Sequence, residues 1–189
     1  MNENPARSDQ ATRTDKVSTS FEFLASSEAV WQCLMFYEDV PRRPWPLLRL
    51  FLPLPLRSQG DKRSPGSLVR CSYERGHLIK RITGVEPARL LRFEVVEQGL
   101  GVERYGRAHR GSYELEPCGG GTRLTLTTAY SGLMRPRWLW RPLEHFLCHR
   151  VHDHILLGIR ERLAAENSSL LTLRGAARGR REPTVTLSR

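Results

Sequence analysis

GSYELEPCGGGTRLTLTTAY, residues 111–130, decides the fold. Tyr113 and Leu115 alternate with polar residues before the loop Pro117-Cys118-Gly119-Gly120-Gly121, and Leu124, Leu126 and Tyr130 alternate after it. Period-two patterning on both sides of a glycine-rich loop is the signature of a β-hairpin with one apolar face. Such a face is unstable in water unless further strands extend it and something covers it.

The strands lie upstream. SLVRCSY (67–73) turns at Glu74-Arg75-Gly76 into HLIKRIT (77–83), and RLLRFEVVE (89–97) follows a turn around Glu86-Pro87. Residues 103–116 form the next strand, with a bend expected at Gly106 or Gly111, where a missing side chain lets a strand coil. VSTSFEFL (17–24) reads as a first strand, and Ser26 or Ser27 caps a short helix with Ala29, Val30, Cys33 and Leu34 on one face. Pro41, Pro44 and Pro46 stop it. The cover is downstream. From Pro142 to Glu166 apolar residues recur at helical spacing, which gives a helix of roughly 37 Å, long enough to cross a sheet. The expected architecture is α+β: a curved antiparallel sheet wrapped around a long C-terminal helix.

The chain has 189 residues, enough for one domain with a sizeable core and short for two. Residues 1–16 and 168–189 have little to bury and read as disordered tails, which leaves 17–167 as the folded domain. Of the net charge of +10, residues 168–189 carry +4 (five arginines against Glu182) and residues 1–16 balance, so the core holds about +6. That surplus suits an anionic ligand or an anionic membrane surface. No stacking motif or recognition helix accompanies it, so specific nucleic-acid binding is not expected. Cys33, Cys71, Cys118 and Cys148 are far apart, without zinc spacing, and the N-terminal stretch has no secretory h-region; the reading is a cytoplasmic protein with reduced thiols. The run Leu47 to Leu56 is broken by Arg49, Pro53 and Pro55 and is too short to span a bilayer.

FEFLASSEAVW (21–31), KRITGVEPARLLRFEV (80–95), the hairpin at 111–130 and the terminal helix together resemble the helix-grip superfamily, Bet v 1-like and START-like (SRPBCC), with its polyketide cyclase-like members. The resemblance implies the helix-grip fold and a cavity between sheet and helix for lipids, polyketides, quinones or other apolar molecules. It carries over no catalytic residues, because the superfamily has no single set. The insert PRRPWPLLRLFLPLPLR (41–57), with the polar loop to Gly66, departs from the pattern and reads as part of the cavity mouth.

On the terminal helix Trp138, His145, His149, His152, Leu156, Ile159 and Leu163 fall on one stripe at about 100° per residue. Continuity with its apolar half favours His145, His149 and His152 facing the cavity. A second stripe, Leu139, Leu143, Leu147 and Val151, is the rival; if it faces inward, the histidines meet solvent. Inward histidines have three uses: polar groups satisfied by neighbours, contacts to a ligand's polar end, or two imidazoles of a metal site lacking a third ligand. On the sheet, Leu91, Phe93 and Val95 are read inward, with Arg92 and Glu94 outward. The same parity brings Tyr105, Arg107 and His109 toward the interior or its rim. Candidate ligand contacts are Phe93, His109, Tyr113, Leu126, Tyr130, His145, His149 and His152. Trp45, Leu47, Leu48, Leu50, Phe51 and the block Arg135 to Arg141 mix aromatic, aliphatic and basic side chains, as a lid, a partner contact or the edge of an anionic membrane would.

With no nucleophile elbow, phosphate loop, paired carboxylates or complete metal motif, no cofactor or metal is expected and catalysis has no positive support. Binding or transport of a hydrophobic small molecule therefore leads. A cyclase- or dehydratase-type enzyme using His149, His152 or Tyr113 as acid–base groups is the second reading, and a protein-interaction module with a filled cavity is the third.

Overall fold

Strand pairing follows the alternation of the hairpin. The computed structural model describes residues 14–35 and 55–179. Its elements are β1 (Asp15–Phe23), α1 (Ser27–Met35), β2 (Pro55–Gln59), β3 (Leu68–Tyr73), β4 (His77–Glu86), β5 (Leu90–Gly99), β6 (Gly106–Cys118), β7 (Gly121–Gly132) and α2 (Arg137–Gly179). Among the described residues seven strands form one antiparallel sheet in the order β1-β7-β6-β5-β4-β3-β2, a curled half-barrel with the long helix against it. This is the expected helix-grip architecture.

The turn between β6 and β7 shows why glycine is needed there. Cys118 pairs with Gly121, so the loop is two residues long, and Gly119 and Gly120 both have positive φ (49° and 87°). A two-residue hairpin loop with left-handed backbone at both positions matches the twist of the flanking strands, and glycine adopts it at no steric cost. β7 then pairs on its other edge with β1, from Asp15↔Tyr130 to Phe23↔Thr122. Both faces of that pair are used. Ser18 meets Thr127 and Ser20 meets Thr125 through hydroxyl hydrogen bonds of 2.9 Å, while Val17, Leu124 and Leu126 are buried on the opposite side.

α1 begins where the serines place it: the Ser26 hydroxyl accepts from the Ala29 amide, and Val30, Cys33 and Leu34 are buried. α2 packs on β1, β7 and α1. Its inner stripe is His152, Leu156, Ile159 and Leu163, all buried, and Leu124, Leu156 and Ile159 have no exposed surface at all. Replacing either of the last two by alanine costs about 2–5 kcal/mol by transfer and cavity terms together.

Four boundaries differ from the sequence reading. β1 starts at Asp15, two residues earlier, because Asp15 is buried in an ionic cluster: Arg137 donates to Asp15 at 2.6 Å, Arg141 pairs with it at 2.9 Å, and Arg137 also donates to Glu144 at 2.7 Å. Gly132 leaves room for this arrangement, since a Cβ there would displace the ends of the Arg137 and Glu144 side chains. β2 is an edge strand that the proline-rich reading overlooked; Pro55 takes its first position, where no ladder donor is needed. α2 begins at Arg137 and keeps Pro142 inside. It runs on through residues 168–179, expected as tail, so at 43 residues it is about 65 Å long. No helix among the described residues is long and apolar enough to cross a membrane.

Candidate functional site

The concave face is divided. α2 covers the β1–β7 side, and a cavity of about 60 Å³ lies on the other, under β2 to β6. Strand alternation builds its wall. Val69 and Cys71 come from β3, Ile82 from β4, Leu91 and Phe93 from β5, Tyr113 from β6; Leu34 closes it from α1 and Ile155 from α2. Leu91, Phe93, Tyr113 and Leu115 are buried as expected, Val95 is partly buried against the same core, and Arg92 is exposed while Glu94 is half-buried. Of the candidate contacts, Phe93 and Tyr113 line the cavity, their ring centroids 6.0 Å apart.

The lining includes three basic side chains, Arg57, Lys62 and Lys80, and no acidic one. Arg57 is exposed and Lys62 half-buried, with its ammonium donating to the Met35 carbonyl at 3.3 Å. Lys80 is the one set among apolar groups. Its Nζ lies 4.3 Å from the centre of the Phe93 ring, a cation–π contact, and among the described residues it has no carboxylate partner. Burial opposes the ammonium charge, but Cys71, Tyr113 and Tyr73 favour it, and the balance holds the Lys80 pKa above the usual lysine range. Burial pushes the Tyr73 and Tyr113 phenols upward as well, so both stay protonated at neutral pH. The site thus offers a cation and two phenolic O–H donors inside an apolar wall.

Lys80, Tyr73 and Cys71 were not singled out from the sequence. The signal was available: Leu78 and Ile82 are buried on β4, and strict alternation puts Lys80 between them on the same face. A charge in an amphipathic strand reads by default as solvent-facing, and that default hid it.

The histidines do face the sheet, yet they do not line the cavity. His152 is buried; its Nδ1 is 3.0 Å from the Thr19 hydroxyl and its Nε2 2.8 Å from the Thr128 hydroxyl. The same Thr19 oxygen is 2.7 Å from Nδ1 of His149. One hydroxyl has one proton, so Thr19 donates to one ring and accepts from the other, which fixes opposite Nδ1 protonation on the two imidazoles. Burial, then the neighbouring His149 and Lys80, lower the His152 pKa to about 4. His145 packs edge-on against Tyr130 at 6.1 Å, and His145 Nε2 and Tyr130 Oη are buried without a hydrogen bond among the described residues. Burial, then Glu144 and Asp15, hold the Tyr130 phenol above its ordinary range. Leu126 is buried on the same inner face and is likewise outside the cavity lining. The rival stripe is outward: Leu139 and Leu143 are exposed, and Leu147 and Val151 half-buried.

His109 is a correction. The ladder of β6 shifts register between Ala108 and Arg110, so strand parity breaks at this residue. His109 is exposed and its Nε2 meets the Ser131 hydroxyl at 2.7 Å, away from the cavity. Trp138 also departs from its stripe. It is 77% exposed, because it lies in the first turn of α2, ahead of the residues that dock on the sheet. Trp45, Leu47, Leu48, Leu50 and Phe51 lie outside the described residues. Among the described residues no group of three or more His, Cys, Asp or Glu side chains is arranged to hold a metal ion.

The fold is that of the START-like and Bet v 1-like proteins. Solved structures similar to this chain include a START superfamily protein of Mycobacterium smegmatis, 15% identical, with a TM-score of 0.58 over 79% of this chain and 97% of that one. Norcoclaurine synthase of Thalictrum flavum, solved with dopamine and hydroxybenzaldehyde, is 13% identical, with a TM-score of 0.56 over 82% of this chain and 88% of that one. A Thermus thermophilus protein is 19% identical, with a TM-score of 0.55 over 80% of this chain and 99% of that one. At these identities the likeness shows the fold. No family model and no curated protein matches the sequence.

Proposed function

We propose that this protein binds an apolar small molecule whose anionic end sits against Lys80. The observation that carries the reading is an ammonium in an apolar cavity with no carboxylate partner among the described residues. A charge held this way costs desolvation energy that an incoming anion offsets, so the cavity discriminates by charge as well as by shape. Tyr73 and Tyr113 supply hydrogen-bond donors to the same end of the guest. A volume of about 60 Å³ takes a few heavy atoms, the head of a ligand, with the remainder leading out past Arg57 and Lys62. The four unpaired cysteines suit a reducing compartment, and we place the protein in the cytoplasm.

The test is native mass spectrometry of the freshly purified full chain with organic extraction of its guests, followed by titration with an aromatic carboxylate and its neutral amide. The acid is expected to bind at least about tenfold more tightly, which corresponds to roughly 1.4 kcal/mol. Equal binding of acid and amide, or binding of neither, contradicts the proposal.

A second reading, an acid–base enzyme, is supported by Lys80 and Tyr113 sharing one pocket and by the likeness to norcoclaurine synthase. Of the acid–base groups expected from the sequence it keeps Tyr113, and it puts Lys80 in place of His149 and His152. Recovery of an extracted guest chemically changed after incubation with the chain would establish it, and recovery unchanged would exclude it for that guest.

A further inference from the structure

We propose that the β7–α2 corner and the first turns of α2 dock on an anionic lipid bilayer. Trp138, Leu139, Leu143 and Phe146 are large apolar side chains left exposed on α2, and Leu133 and Tyr105 are exposed beside its start. At about 100° per residue Leu139, Leu143 and Phe146 fall within about 60° of one another, on a flank turned away from the histidine stripe that meets the sheet. The Leu133 amide donates to the Tyr105 carbonyl at 2.9 Å, which joins the β5–β6 connection to this corner, and the Trp140 indole donates to the Arg135 carbonyl at 3.2 Å.

Cations are interleaved with these apolar groups. The Arg104 guanidinium lies 4.5 Å over Tyr105 and that of Arg150 5.2 Å over Phe146, while Arg107 and Arg135 are exposed nearby. The neighbouring carboxylates are already engaged. Asp15 and Glu144 hold Arg137 and Arg141, Glu103 accepts from the Leu100 and Gly101 amides, and Asp153 pairs with Arg150. Among the described residues Arg104 and Arg135 have no ion-pair partner.

Rings and aliphatic side chains at head-group level, with arginines among them to meet phosphates, are what an anionic interface selects. The net charge of +10 draws the whole chain toward such a surface. Charge complementarity favours the bilayer over a protein partner here, because Arg104 and Arg135 have no ion-pair partner among the described residues and stand beside the apolar groups.

The test is co-sedimentation of the full chain with phosphatidylcholine vesicles and with vesicles containing about 30% phosphatidylserine. Binding is expected to the anionic vesicles alone, to weaken from about 0.05 to about 0.5 M NaCl, and to fall at least about fivefold in Trp138→Ser/Leu139→Ser. Both positions are solvent-exposed, so the variant folds, which circular dichroism checks. An Arg104→Gln/Arg135→Gln variant is expected to lose affinity and part of the salt dependence. Wild-type binding by the Trp138→Ser/Leu139→Ser variant overturns the proposal and leaves the attraction to basic residues elsewhere. Absence of binding to either vesicle also overturns it, and the face would then belong to a protein contact.

Discussion

Lys80 and His152 represent two ways of placing an ionisable side chain inside this molecule. Lys80 keeps its proton in an apolar wall, against a ring and two phenols. His152 gives its proton up, because burial and then the neighbouring His149 and Lys80 disfavour the charged ring, and the neutral imidazole keeps both nitrogens bonded to threonine hydroxyls. That choice has a pH signature. The folded pKa of His152 is about 4 against 6.5 for the free side chain, so the stability tied to its neutral form is fully present above pH 6.5. It is lost as pH falls toward about 4, and the shift is worth on the order of 3 kcal/mol at most. Denaturant midpoints measured across that window should therefore fall more steeply in the wild type than in His152→Gln, which keeps hydrogen bonding without titrating. Parallel slopes for the two proteins would show that His152 is not held neutral by the fold.

Most elements were legible because their pattern repeats over many residues. The β6–β7 hairpin, α1 and the inner stripe of α2 were readable from periodicity, and the order of elements followed. What was not legible turned on single residues. The register shift at Ala108/Arg110 has no sequence mark that alternation reveals, and it moved His109 to the wrong face. β2 was hidden because prolines at its start suppress the period-two signal. Asp15 was assigned to a tail on composition, although its carboxylate anchors the start of α2 through Arg137 and Arg141. A consequence at this scale is that a chain trimmed to begin at Thr14 should melt like the full protein, whereas one beginning at Val17 should melt a few degrees lower. The second loses two strand pairings and leaves a partly buried guanidinium one carboxylate short, an effect of about 1–3 kcal/mol. Identical Tm values for the two chains would show the cluster to be energetically idle.

At the scale of the whole molecule the long helix and the cavity occupy different halves of one curled sheet. The helix stripe packs on β1 and β7 with hydroxyl–imidazole contacts to Thr19 and Thr128, and the pocket lies against β2 to β6. The sequence suggested a cavity facing the histidines; the sheet places it instead around Phe93, Tyr113 and Lys80. The measurement that tests the account most directly is a calorimetric titration of wild type and Lys80→Gln with an aromatic carboxylate and its amide. The acid is expected to lose about tenfold in affinity on substitution while the amide is unaffected, a coupling of roughly 1.4 kcal/mol between Lys80 and the ligand's charge. An equal change for acid and amide, or none for the acid, would contradict it.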